Sequence, residues 1–67
     1  MIWWFVEDSF DGKPMLIDRA YASEMEALQS AIANSKSGQY RIISFPTRDK
    51  RRVREMWRTQ QQGMYYR

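Results

Sequence analysis

Between Arg48 and Arg58 six cations, Arg48, Lys50, Arg51, Arg52, Arg54 and Arg58, stand against only two acids, Asp49 and Glu55. Arginine carries a planar, permanently charged fork that matches phosphate oxygens, so this run is suited to holding a polyanion rather than to breaking bonds. At about 100° per residue Arg51, Arg54 and Arg58 form one stripe with Lys50 on its flank, and Val53, Met56, Trp57 and Gln60 share the opposite face. Pro46 and Thr47 suit a helix start, with the threonine hydroxyl as cap, and Gly63 suits a stop. The spacing therefore predicts a helix over 47–62 and a tail over 63–67, whose Tyr65 and Tyr66 offer rings on which bases can stack. The candidate nucleic-acid-binding residues are Lys50, Arg51, Arg54, Arg58, Tyr65 and Tyr66, while Trp57 is read as core.

Catalytic chemistry has less to stand on. The chain has no His and no Cys, which removes the commonest general base and every thiolate nucleophile or ligand. Its glycines, Gly12, Gly38 and Gly63, are too scattered for a phosphate-cradling loop. The stretch Glu7-Asp8-Ser9-Phe10-Asp11-Gly12 alternates possible oxygen ligands, with Asp18 near the closing position. It lacks the closing bidentate Glu and the flanking helices of a calcium loop, and Lys13 brings a positive charge into it. A histidine-free ribonuclease built from Arg54, Arg58, Tyr65 and Tyr66 would rest on residue types alone. The expectation is a non-enzymatic protein without cofactor or metal.

Charge is distributed unevenly. Residues 1–40 carry three cations against six acids, and residues 41–67 carry eight against two, within an overall charge of +3. A basic half of this kind is expected to meet nucleic acid, either DNA or RNA, or the acidic surface of another protein. The second of these describes a small regulator or inhibitor, acting through the arginine stripe, the tail or an exposed aromatic sheet face. The longest apolar run, Met1 to Val6, is far too short to cross a bilayer and lacks the basic flank of a signal peptide. No membrane association is expected, and a cytoplasmic location is.

The elements that must hold the basic helix can be read in order. Sixty-seven residues make one small domain, 1–67, which needs its three Trp, four Tyr and three Phe to build a sufficient core. Met1 to Val6 is β-branched and aromatic without polar alternation, as expected of a central strand covered on both faces. Glu7 to Pro14 is expected to connect it, through an Asp11-Gly12 turn, to a second strand over Met15 to Tyr21. Ser23-Glu24-Met25-Glu26 is a capping box that opens a helix reaching about Lys36, with Met25, Leu28 and Ile32 as its core stripe and Ala31 beside them. Tyr40 to Phe45 follows as a third strand. The fold expected is α+β, ββαβα, with a three-stranded sheet in the order 2-1-3 as in a split β-α-β unit and two helices on one face. An open second sheet face would then invite a homodimer.

Overall fold

The computed structural model describes residues 1–65, with side chains described through Thr59. Strands β1 (Trp3–Phe10), β2 (Lys13–Leu16) and β3 (Tyr40–Phe45) and helices α1 (Glu24–Asn34) and α2 (Lys50–Tyr65) follow one another as β1, β2, α1, β3, α2. The strands make a single antiparallel sheet in the order β2-β1-β3, the α+β arrangement that the sequence implies.

β1 runs four residues beyond Val6, through the stretch read as a connection. The cause is the tightness of the turn: Asp11 (φ 53°) and Gly12 (φ 75°) form a two-residue loop closing directly on the Phe10–Lys13 pair. Positive φ at both positions matches the strand twist, so no longer connection is needed. β2 is correspondingly earlier and shorter than the expected 15–21. After Ile17 donates its amide to Val6, residues 18–20 loop out, and pairing resumes only where Tyr21 exchanges two bonds of 2.8 Å with Trp4. That loop projects Asp18 from the edge of the sheet.

Ser23 caps α1 as expected, its hydroxyl accepting the Glu26 amide at 3.2 Å. The helix ends at Asn34, short of Lys36, and its buried face differs from the expected one. Ala27 (0% exposed) and Ala31 (2%) meet the sheet, whereas Met25 and Ile32 are 60% and 66% exposed. Tyr21 donates to the Ser30 hydroxyl at 2.6 Å and sets this rotation, while Trp4, Val6, Tyr21, Tyr40 and Ile42 fill the layer so that only small helix residues fit. Past α1, Asp8 gathers the chain: its Oδ1 accepts from the hydroxyls of Ser35 (2.9 Å) and Ser37 (2.8 Å) and from the Ser9 amide (2.9 Å).

The two helices lie on opposite faces of the sheet, not on one. Side chains alternate along β1. Val6 packs with Ala27 and Ala31 of α1, while Phe5 and Phe45 pack with Val53 of α2. The two phenylalanines meet edge to face, centroids 5.6 Å apart. A β1 that is apolar on both faces needs a helix on each. The open face on which the homodimer expectation stood is therefore occupied by α2.

Candidate nucleic-acid interface

α2 starts three residues later than Thr47. The Thr47 hydroxyl accepts the Asp49 amide at 3.1 Å and holds a short turn after Pro46; Asp49 is the cap, its carboxylate accepting the Arg51 amide at 3.2 Å and its carbonyl the Val53 amide. A carboxylate is the better cap at the positive end of a helix dipole. Backbone helix continues through Gly63 to Tyr65, since a glycine inside a helix costs only about 1 kcal/mol relative to alanine.

The apolar face of α2 lies as the periodicity requires. Val53 is 1% exposed, and Met56 and Trp57 pack half-buried against the same cluster as Phe5 and Phe45. A polar clamp adds to this contact. Glu7, 7% exposed on β1, accepts the Trp57 indole N–H at 2.5 Å and the Arg41 fork at 2.8 Å (Nε to Oε1) and 3.3 Å (Nη2 to Oε2). Glu7 and Arg41 are directly opposed in the β1–β3 register, so the pair is built by the sheet itself. The clamp withdraws Arg41 from the free cations of the basic half.

Pinned in this way, α2 presents Arg51, Arg52, Arg54 and Arg58 to solvent, all of them exposed. Arg58 lies seven positions beyond Arg51, about 10 Å along the helix at 1.5 Å per residue. Lys50 and Arg54 share one looped-out carboxylate, Asp18 Oδ2, at 3.4 Å and 4.0 Å. With side chains 71%, 58% and 41% exposed, these are surface pairs, worth little and readily exchanged for another anion. Among the described residues, Arg51 and Arg58 have no carboxylate within ion-pair distance. The structure thus brings Lys50, Arg51, Arg54 and Arg58 onto one exposed side of one helix. The Tyr65 side chain and Tyr66 lie outside the described residues.

Two features had little signal in the sequence. Arg48 stacks over Trp3, with 5.1 Å from guanidinium carbon to ring centroid, because the Trp3–Phe45 register brings the end of β3 beside the start of β1. Arg19 lies over Tyr21 at 5.2 Å through the loop after β2. The Glu7–Arg41 pair does have a trace: once β1 is extended through Glu7, its acid falls on the same face as Phe5 and opposite a lone arginine.

Among the described residues no group of three or more acidic, His or Cys side chains is placed to hold a metal ion, and no helix is long and apolar enough to cross a membrane. Comparison of the chain with protein-family models, curated proteins and solved structures finds no match.

Proposed function

We propose that this chain is a non-enzymatic nucleic-acid-binding module whose second helix contacts phosphates through Arg51, Arg54 and Arg58, supported by Lys50. The observation that carries this reading is where the cations stand. Lys50, Arg51 and Arg52 fill the first turn of α2, which holds no acid, and Arg48 precedes it. Cations at a helix N-terminus oppose the dipole by about 0.3–1 kcal/mol each, so the cluster works against the stability of the helix that carries it. An arriving polyanion relieves that repulsion and meets forks already aimed outward.

Fluorescence anisotropy of labelled duplex and single-stranded oligonucleotides, titrated at several salt concentrations, tests the reading. With three to five phosphates engaged on duplex DNA, log affinity falls against log salt with a slope of about −3 to −4. Replacing Arg54 and Arg58 by Ala weakens binding to all sequences alike, because phosphate contacts position without specifying. No binding to DNA or RNA at low salt removes the proposal. The same helix would then be sought on the acidic surface of a partner protein, as a small regulator or inhibitor. A version of that alternative using an exposed aromatic sheet face loses its basis, since α2 covers the Trp3–Phe5 face.

A further inference from the structure

The sheet has two edges, and they are built differently. β2 is four residues long, begins at Lys13, and gives way to the looped-out residues 18–20. Its Pro14 opposes Ser9 at a position where the main-chain groups turn away from β1, so the proline denies a donor to any strand arriving from outside. Charge, proline and a bulge are the usual means of closing an edge. β3, Tyr40-Arg41-Ile42-Ile43-Ser44-Phe45, has neither proline nor bulge, and its one charge, Arg41, is held by Glu7. The bond from the Ser9 amide to the Gln39 carbonyl sets the phase of the β1–β3 ladder. Arg41, Ile43 and Phe45 therefore direct their main-chain groups to β1, and Tyr40, Ile42 and Ser44 direct theirs outward. Among the described residues no strand lies beyond β3.

Beside this edge lies the unexplained apolar side of α1. The flank of α1 bearing Ser30 is tied to Tyr21, toward the β2 edge. Met25, Leu28 and Ile32 occupy the opposite flank by helical phase, above β3. Met25 and Ile32 are 60% and 66% exposed, and Leu28 is half-buried. An open strand edge and an exposed apolar helix flank thus form one continuous strip.

We infer that the chain forms a two-fold dimer in which β3 pairs antiparallel with β3 of a second copy about Ile42, joining the two sheets into one, while the α1 helices pack together through Met25, Leu28 and Ile32. The strip is self-complementary in three respects. Pairing about Ile42 sets Tyr40 opposite Ser44 of the second copy, so every outward main-chain group of these residues finds its counterpart. Arg41 falls opposite Ile43 of the second copy, and no like charges face each other across the join. The two-fold axis is perpendicular to the sheet, so α1 meets α1 in antiparallel sense. The first-turn acid Glu24 of one copy then approaches Lys36, just past the last turn of the other. A second copy meets all three conditions with the sequence already present. The contact is about 20 Å long, from six strand residues at roughly 3.4 Å each, which places it among the smaller, reversible interfaces.

The test is analytical ultracentrifugation of the full chain, nuclease-treated and at high salt so that no polyanion bridges copies, from about 10 μM to about 1 mM, the range in which small interfaces associate. The expected result is concentration-dependent conversion of the 8.1 kDa monomer into a dimer, with amide exchange at Ile42 and Ser44 slowing as the dimer forms. Ser44→Pro, at an exposed residue whose amide faces away from β1, and Ile32→Glu, on an exposed helix flank, each raise the dissociation constant about tenfold or more, by removing a main-chain bond or an apolar contact. Both leave the circular dichroism of the monomer unchanged. A monomer throughout the range overturns the inference, as does a dimer that withstands both substitutions or leaves the Ile42 and Ser44 amides exchanging freely. Stoichiometric capture of a different protein's strand by the monomer overturns it in favour of that partner.

Discussion

Removing the Glu7 carboxylate tests how α2 is fixed to the sheet. Glu7 is 7% exposed and accepts from two side chains on different elements, the Arg41 fork and the Trp57 indole. In Glu7→Ala the Arg41 side chain, 38% exposed, turns to water and loses little, since a partly solvated pair is worth about 1 kcal/mol at most. The indole N–H is worse placed, because a half-buried donor left without a partner costs about 1–3 kcal/mol. The vacated side-chain volume adds roughly another 1 kcal/mol. The total, about 3 kcal/mol, is a large share of the roughly 3–10 kcal/mol expected for a domain of this length. Glu7→Gln keeps an acceptor for Trp57 and should cost about 1–2 kcal/mol, chiefly the charge assistance to the hydrogen bonds. The assay is urea unfolding followed by circular dichroism, with Trp57→Phe completing a double-mutant cycle. A coupling of about 1 kcal/mol or more between Glu7 and Trp57 is expected, because residues sharing a buried hydrogen bond are not additive. Additive effects, or Glu7→Ala within about 0.5 kcal/mol of wild type, would refute the clamp.

Asp8 carries a pH dependence of determinate sign. The Ser37 hydroxyl above all, then those of Ser35 and the Ser9 amide, hold its carboxyl below the ordinary carboxylate range. A depressed folded-state value means that its contribution is full at neutral pH and is lost as pH falls through that value; Asp8→Asn should flatten the acid limb of the stability profile measured by thermal melts. Ser23→Ala removes the α1 cap and should cost about 0.5–2 kcal/mol in urea unfolding. Ala27→Leu, at a residue 0% exposed, should overpack the α1 layer and cost about 1–3 kcal/mol. Met25→Gln, on the exposed flank, should leave the unfolding free energy of the dilute monomer within about 0.5 kcal/mol.

Local chemistry was legible where one residue type has one physical use. Asp11-Gly12 could only be a turn of positive φ, Ser23 with Glu26 marked the start of α1, Pro46 ended β3, and an apolar stripe at Val53, Met56 and Trp57 named the buried side of α2. The exposed arginines of α2 followed from that stripe, because a helix with one apolar side docked must show the other. Strand order was legible too, since a β1 apolar on both faces belongs in the centre. What periodicity could not decide was which of two adjacent helix flanks meets the sheet. In α1, Ala27 with Ala31 and Met25 with Leu28 and Ile32 are both apolar at helical spacing. The larger side chains were expected inside, yet Trp4, Tyr21 and Tyr40 already fill that layer and leave room only for alanine. The placement of α2 on the far face likewise followed from the side-chain volume there, chiefly Phe5 and Phe45, which only a helix could cover. Glu7 read as a loop acid because burial is a property of the neighbours that arrive. Arg41 reaches it from 34 positions along the chain and Trp57 from 50, so only the assembled sheet and helix turn that carboxylate into a clamp.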